Sequence, residues 1–498
     1  MGTLANKTLQ GIKWSTTATI INLVLQTGYT AIMARLLDPV SFGLVAMANV
    51  VLRFGGYFAN MGMSQAIIQK QNLDDKDIRA AFTTSVVLGF TFFGLFYFLA
   101  PLSEYLFNDK DVIPIVKVLS ASFVLSSLAT TSFSLIRRRL QFKEASIIQI
   151  VSFAAMVAAA IFMAWRGLGV WSLVYASLIQ GVLNVTISYL YAQHSLRLFY
   201  DWKVYKPLFA FGGKITFISF IEFLSTSADT MMIGRYLGAV LLGIYNRAFM
   251  IVQLPLYQLN ISISRVLFPV FSSIQKETAK LRKIYLSSIS VIAFLFLSIC
   301  AGVAVSAENI VFVVLGEDWA AAVPILQILA ILVPFKLLAH YGGIICDATA
   351  SLNIKIILEV SYIIVLFSLL FLIRNSTLLN YSYVLLGMEG LRLIAYTLVM
   401  KHILEFNFVD IRKAYLSPLV TSVLVGGGLF LTNIALDNIT DSHLIKLIAD
   451  MMVGGVLLLL SLFLKVNRPI WDELNQRLFS QNKFLNKFLT TVSLKLNK

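Results

Sequence analysis

The sequence is poor in charge and in polar stretches. Asp, Glu, Lys and Arg together make up 13% of its 498 residues, whereas 58% of the residues are hydrophobic and the mean hydropathy is +0.82. A chain of this composition cannot cover itself with a polar surface, which excludes a water-soluble fold. No long polar segment separates the apolar runs, so we expect one membrane domain rather than a membrane anchor with a soluble domain.

Cysteine, histidine and phosphate-binding motifs are also scarce. The two cysteines, Cys300 and Cys346, both lie in apolar segments and predict buried thiols rather than a disulfide or a metal pair. The four histidines are scattered without metal-ligand spacing, and no Gly-rich loop ends in Lys-Ser or Lys-Thr. The sequence therefore predicts no catalytic residue, no metal site and no cofactor.

Long apolar runs recur from one end of the chain to the other. Each run has about 20 residues or more, which is enough to cross the hydrocarbon core as a helix. The runs lack the alternation of a barrel strand, so the expected fold class is an all-α, polytopic membrane protein with about 14 transmembrane helices. The predicted spans are 12–36, 41–68, 80–106, 113–135, 146–165, 168–191, 207–234, 239–270, 284–314, 320–346, 356–374, 379–400, 414–436 and 444–464.

Alternate connections between these spans differ sharply in charge. One set, which includes both termini, holds most of the Lys and Arg that lie outside the spans. This asymmetry predicts that both termini are cytoplasmic, and it makes the net charge of +15 a topology signal rather than support for nucleic-acid binding. The opposite set holds only Arg35, Lys110, Arg166, Arg235 and Arg374, with Lys446 if that residue lies outside its span.

The first part of the chain recurs in degraded form two hundred residues later. Because six spans precede the second copy, both copies enter the membrane in the same sense, as parallel repeats do; chance similarity between apolar helices is the alternative. Residues Thr30, Arg35, Leu37, Gly43 and Ala48 recur as Thr230, Arg235, Leu237, Gly243 and Ala248.

The repeat predicts a domain organisation of two six-helix lobes followed by two further helices. The last segment of the chain has apolar residues spaced between lysines, which suits a basic amphipathic helix on the inner leaflet, or alternatively an unstructured tail. The predicted boundaries are 1–194 for the N-lobe, 195–206 for a cytoplasmic inter-lobe loop, 207–400 for the C-lobe, 401–465 for the appended helices and 466–498 for the tail.

Basic residues inside the predicted spans are the main candidates for function. A charge in the membrane costs several kcal/mol unless it faces water or a partner, so such residues predict a cationic cavity that suits an anion with a bulky polar remainder. Lys214 and Arg265 have a second reading, in which their side chains reach out to the cytoplasmic headgroups. The candidate substrate-binding residues are Arg53, Lys214, Arg247, Arg265 and Lys336.

Acidic residues inside the spans suggest two further roles. Glu222 and Asp229 lie on one face of predicted span 7, where they could exchange a proton or a sodium ion during transport. Glu389 and Arg392 are three residues apart in predicted span 12 and are expected to form an intramembrane pair that neutralises both charges; a role in transport is the alternative.

Several short segments resemble the polysaccharide-transporter proteins. The resemblance is to Wzx-type flippases of the multidrug/oligosaccharidyl-lipid/polysaccharide (MOP) superfamily, nearest the colanic acid and teichuronic acid exporter branch, and it runs to about residue 465. Among the candidate cavity residues, only Arg265 falls inside a matched segment. The segments that carry the resemblance are Gly11 to Ser15, Ala34 to Leu44, Ser64 to Lys70, Leu237 to Asn246, Arg265 to Phe271 and Gly316 to Gln327.

The resemblance implies a specific activity. It implies a transporter, not an enzyme, that moves undecaprenyl-diphosphate-linked oligosaccharide across the bacterial inner membrane by alternating access, for exopolysaccharide, capsule or O-antigen synthesis. Its partners would be membrane lipids, a polysaccharide polymerase and the chain-length machinery. Two alternatives stay open: a cation-coupled multidrug exporter of the same superfamily, which the surplus of basic residues disfavours, and a membrane polymerase or ligase, which the short predicted external loops disfavour.

Overall fold

The structure, a computed structural model, is helical throughout the residues it describes. The described residues are 2–60, 64, 67–68, 73–199, 202–464, 467 and 470–471. For some of them only the backbone is described, namely 2–13, 15, 57–58, 60, 202–219 and 222. The helices are α1 (Gly2–Leu36), α2 (Pro39–Asn60), α3 (Asp75–Leu99), α4 (Leu102–Phe107), α5 (Val112–Leu119), α6 (Ala121–Arg138), α7 (Phe142–Trp165), α8 (Val170–Ala192), α9 (Trp202–Ser273), α10 (Thr278–Val305), α11 (Ala307–Val314), α12 (Ala322–Ala348), α13 (Leu352–Leu372), α14 (Leu378–Leu404), α15 (Phe408–Asp437) and α16 (His443–Ser461), with a 3-10 turn at Glu317–Trp319.

Each predicted membrane span falls on one helix or on a pair of consecutive helices. In the described part of the chain, 12 helical segments are long and apolar enough to cross a membrane. Predicted span 1 falls on α1, which is not among them, and predicted spans 7 and 8 both fall within α9, whose helical backbone is interrupted at Gly238 (φ 82°). The prediction of an all-α, polytopic membrane protein is confirmed.

Several predicted spans are broken into two helices. Predicted span 3 comprises α3 and α4, and the break falls at Pro101, which has no N–H to continue a helix. Predicted span 4 comprises α5 and α6, and at the break the Ser120 hydroxyl donates to the carbonyl of Lys117 at 2.6 Å, competing with the helical bond. Predicted span 9 comprises α10 and α11, which meet at Ser306.

The chain folds into two compact units. The first comprises Met1–Arg247 and Ile363–Leu378, where α1 packs on α7, α7 on α8, and α3 and α8 on α6. The second comprises Ala248–Tyr362 and Leu379–Lys498, where α10 packs on α12 and α15, and α16 packs on α11 and α15. The predicted lobe boundaries stay a prediction. Of the predicted tail, only 467 and 470–471 lie within the described residues.

The two copies of the sequence repeat contact each other inside the first unit. A Cβ at Gly43 would overlap the carbonyl oxygen of Ala239 and lie 2.6 Å from its carbonyl carbon. A Cβ at Gly243 would in turn overlap the carbonyl oxygen of Pro39 and lie 2.8 Å from that carbonyl carbon. In the repeat, Pro39 corresponds to Ala239 and Gly43 to Gly243, so the second contact is the first one with the two copies exchanged. The crossing of α2 and α9 therefore has local two-fold symmetry.

This crossing predicts a steric effect at Gly43. Alanine there would push a methyl group into backbone rather than into a movable side chain, and we expect a loss of about 1–3 kcal/mol of stability. Gly56→Ala on the same helix is the control, because a Cβ at Gly56 meets no described atom within 4 Å. Thermal unfolding of the purified protein in detergent measures both; equal melting temperatures for the two variants would contradict the packing described.

Candidate functional site

A cavity of about 420 Å³, lined by both polar and apolar side chains, lies within the first unit. Helices α1, α2, α7, α8 and α9 form its wall. The apolar part of the wall comes chiefly from Phe153, Met156 and Leu173, and Tyr29 packs edge-on against the ring of Phe153 at 6.3 Å. The polar side chains of the wall are Gln26, Tyr29, Asn49, Arg53, Ser177, Ser227, Thr230, Asn246 and Arg247.

Two features of the sequence bring these side chains to the same cavity. On α2 the lining residues follow one another at helical spacing from Phe42 to Arg53, so a single face of that helix lines the cavity. On α9 the interruption at Gly238 separates Thr230 from Arg247, and residues from both sides of the interruption reach the wall. Because of the break in α9, two separate segments of this helix line the cavity.

Arg247 is held in the wall by weak contacts. Its guanidinium carbon lies 4.3 Å from the centre of the Phe42 ring, a distance typical of a cation–π contact. Its Nη2 donates to the Asn246 side-chain oxygen at 3.3 Å. Its Nε is buried and has no hydrogen-bond partner among the described residues. The guanidinium thus keeps donor groups that nothing in the described part of the wall uses.

The charge of the cavity is not compensated from within its wall. Among the residues whose side chains the structure describes, neither Asp nor Glu lines it. Among the side chains the structure describes, no carboxylate lies within 4 Å of the basic groups of Arg53 or Arg247, and Arg53 is exposed. Two arginines with amide and hydroxyl groups around them suit an anion that also carries many hydrogen-bonding groups.

The other predicted residues of the transport site are placed elsewhere or lie outside the described side chains. Lys214 and Glu222 belong to the latter group. Asp229 accepts hydrogen bonds from the Tyr245 hydroxyl and the Thr230 N–H, both at 2.7 Å. The exposed Arg265 and the half-buried Lys336, whose Nζ lies 5.4 Å from the centre of the Phe249 ring, belong to the second unit. The substrate-binding and ion-coupling roles of all these residues stay predictions.

Glu389 and Arg392 lie together in the second unit, with a partner that the sequence reasoning missed. Arg392 Nη1 is 3.6 Å from a Glu389 oxygen, whereas its Nη2 lies 2.7 and 2.9 Å from the two carboxylate oxygens of Glu359 on α13. The hydroxyls of Tyr396 and Tyr362 donate to Glu359 at 2.7 Å and to Glu389 at 3.0 Å. In the sequence, Glu359 stands out only as a single acidic residue within an apolar predicted span.

The polar lining of the cavity was also missed, apart from the two arginines. Gln26, Asn49 and Asn246 are uncharged, and single amides in apolar spans are common enough that the sequence does not single them out. For Asn49 the signal was its position four residues before Arg53, on the same helical face.

The fold and the cavity define a multi-pass membrane protein whose helices surround a polar, arginine-lined space. Comparison with known proteins places it more narrowly. Residues 32–324 match the family model described as "Polysaccharide biosynthesis protein", and the chain belongs to that family. This confirms the resemblance to polysaccharide transporters that the sequence motifs indicated.

Individual relatives agree with the family assignment. The chain is 28% identical to the lipopolysaccharide biosynthesis protein WzxC of Escherichia coli, over 71% of this chain and 72% of that protein. It is 23% identical to the teichuronic acid biosynthesis protein TuaB of Bacillus subtilis, over 86% of this chain and 89% of that protein. Its fold resembles that of the lipid II flippase MurJ in an inward closed conformation, with a TM-score of 0.73 and 13% identity, over 90% of this chain and 98% of that one.

Proposed function

We propose that this protein is a flippase that moves undecaprenyl-diphosphate-linked oligosaccharide repeat units from the cytoplasmic to the outer face of the bacterial inner membrane. The observation that carries the proposal is the cavity that Arg53 and Arg247 line, with no acid among the lining residues that the structure describes. A diphosphate needs charged donors, and a sugar chain needs amide and hydroxyl groups; the wall offers both. The family to which the chain belongs adds support.

The proposed mechanism is alternating access. The lipid tail remains in the bilayer while the diphosphate and sugars cross through the cavity, where arginines and water replace the hydration that the headgroup loses. An inside-negative potential favours outward movement of an anion by about 2.3 kcal/mol per charge per 100 mV. The membrane potential can therefore drive the step, and exchange of a proton or sodium ion at Glu222 or Asp229 is the second possible driving force.

The proposal includes a topology and partners. Both termini are cytoplasmic, as the charge asymmetry of the loops predicts. Membrane lipids surround the helices, and a polysaccharide polymerase with its chain-length machinery takes up the translocated repeat units. In this scheme the protein transports its substrate and catalyses no covalent step.

Deletion of the gene tests the proposal against an enzyme. Without a flippase, we expect single lipid-linked repeat units to accumulate on the cytoplasmic face of the membrane, where a probe that cannot cross the membrane does not reach them in intact cells. Loss of a polymerase or ligase would instead leave them on the outer face. Labelling intact spheroplasts and inverted vesicles with a sugar-specific probe distinguishes the two, and accumulation outside would contradict the flippase assignment.

A multidrug exporter of the same fold is the second candidate. Drugs carried by such exporters are commonly cations, which two arginines with no ion-pair partner among the described side chains would repel. We therefore expect overexpression to leave resistance to cationic dyes and antibiotics unchanged, as measured by growth inhibition in a strain that lacks its main exporters.

A further inference from the structure

A non-helical segment, residues 193–199, leads from the end of α8 towards α9 and is held on α3. Arg79 on α3 donates from Nε to the carbonyl oxygen of Arg197 at 3.2 Å and from Nη2 to that of Leu198 at 3.3 Å. The last N–H of the segment donates to the Thr83 hydroxyl oxygen at 2.9 Å. Side chains of another helix, rather than regular secondary structure, therefore fix the path of this segment.

His194 is the side chain that the segment buries in the first unit. It is 7% exposed, and the centre of its ring lies 5.2 Å from that of Phe82 on α3 and 5.7 Å from that of Tyr189 on α8. Because a carbonyl oxygen only accepts, Nδ1–H donates to the carbonyl of Ser195 at 3.1 Å. Nε2 of the neutral ring then accepts from the Ser132 hydroxyl of α6 at 3.1 Å. The neutral ring thus uses both of its nitrogens.

The same position is unfavourable for a protonated ring. A second N–H, at Nε2, would face the Ser132 hydroxyl, which would have to turn its hydrogen away. No described carboxylate lies within 4 Å of the ring nitrogens. Burial lowers the pKa of His194 below its ordinary value; the hydrogen bond to the Ser195 carbonyl opposes this shift, and the positive charge of Arg139 adds to it.

The charged groups near the segment do not compensate a protonated ring. Arg139 Nη1 donates to the carbonyl of Ala192 at 3.3 Å, which keeps its positive charge beside the segment. The carboxylate of Asp77 accepts from the N–H of Asp74 at 3.2 Å, at the start of α3. The ionisable side chains at this end of the surrounding helices are Asp75, Lys76, Asp77 and Arg79 on α3, Arg137, Arg138 and Arg139 at the end of α6, Lys143 and Glu144 on α7, and Tyr189 and Tyr191 on α8.

We propose that His194 makes this segment an acid-sensitive clasp: the neutral ring docks residues 193–199 on α3 and α6, and protonation of the ring releases them. A released ring lies in water and takes up a proton at a higher pH than the docked ring does. Docking is therefore strongest at neutral pH and weakens as pH falls below the ordinary pKa of histidine, by up to about tenfold per pH unit. The clasp is independent of what the arginine-lined cavity transports.

The test is the mobility of a spin label at position 198, where the side chain is 65% exposed although the backbone is held. The label is placed on Leu198→Cys of the full-length protein in detergent, with Cys300 and Cys346 replaced by alanine. We expect a mobile component to appear reversibly as pH is lowered from about 7.5 to about 5, the range in which a histidine titrates. A label on Leu190→Cys, an exposed position of α8 just before the segment, should not change.

Three variants assign the effect to the clasp. His194→Gln can still donate and accept hydrogen bonds but cannot titrate, so the segment should stay immobile over the whole pH range. Arg79→Gln removes the grip on two carbonyls and should show the mobile component already at neutral pH. His402→Gln, at the end of α14 in the second unit, is the matched control and should keep the wild-type response.

The other outcomes overturn the proposal. A label at Leu198 with the same mobility at every pH excludes the clasp, and so does a His194→Gln variant that keeps the wild-type response. Equal mobilisation of the labels at Leu190 and Leu198 would mean that acid unfolds the end of α8. If His194→Gln is mobile already at neutral pH, Arg139→Gln decides: it keeps the ring but removes a charge that disfavours protonation, so the response to acid should weaken, and an unchanged response contradicts the proposal.

Discussion

Alanine at Arg247 is expected to abolish export without unfolding the protein. The guanidinium has unused donors in the cavity wall, and hydrogen bonds to charged groups contribute about 1.5–3 kcal/mol each. Loss of two such bonds to a diphosphate corresponds to at least a 100-fold fall in transport at low substrate concentration. Polymer export in a flippase-deletion strain carrying the variant measures the effect, and Arg53→Ala is expected to behave in the same way.

Stability should be unaffected because no described carboxylate depends on Arg247. Removal of an arginine from an ion pair strands a buried negative charge, whereas no described carboxylate lies within 4 Å of this one. Protein level and melting temperature should therefore remain those of the wild type. Arg247→Lys keeps the charge but not the planar fork, so it should restore part of the activity.

A matched control distinguishes the loss of a cavity arginine from the loss of any arginine of the first unit. Arg166 is also in the first unit, but it stacks on Phe162 and Trp165 at the end of α7 and does not line the cavity. Arg166→Ala should export polymer at the normal rate. Normal export by both Arg53→Ala and Arg247→Ala would exclude the cavity as the substrate site.

Methionine at Arg392 is expected to destabilise the second unit strongly. Glu359 and Glu389 would lose their common cation, and breaking a buried ion pair by removing one partner costs about 3–5 kcal/mol. Arg392 and both acids are largely buried, so water does little to replace the lost partner. Thermal unfolding in detergent should show a large drop in melting temperature relative to the wild type.

Two further variants test the physical reason. When Glu359→Gln and Glu389→Gln accompany Arg392→Met, no charge remains stranded, and most of the lost stability should return. Lys280→Met breaks the exposed pair with Glu277, at 3.5 Å, and should cost less than about 1 kcal/mol. A single Arg392→Met variant that melts like Lys280→Met would show that the buried cluster contributes little.

The spans could be predicted because an apolar run of sufficient length has one structural solution in a membrane. The two cavity arginines could be singled out because a basic residue deep in such a run has few uses other than facing water or a partner. Arg53 and Arg247 both lie deep within predicted spans, and the structure places both side chains in the wall of one cavity.

Partners across helices could not be predicted in the same way. The sequence shows that Glu389 and Arg392 share a helical face, but the closer partner, Glu359, is 33 residues away on another helix. Asn309, Asn433 and Asp450 meet across three helices, and no sequence spacing encodes that meeting. The breaks within predicted spans depend on single residues such as Pro101 and Ser120, which hydropathy averages over.

The crossing of α2 and α9 has the geometry of a homodimer interface within one chain. Gly43 meets Ala239 as Gly243 meets Pro39, so each copy of the repeat presents the same surface to the other. Arg53 and Arg247 lie outside this contact, at positions where the two copies of the repeat differ.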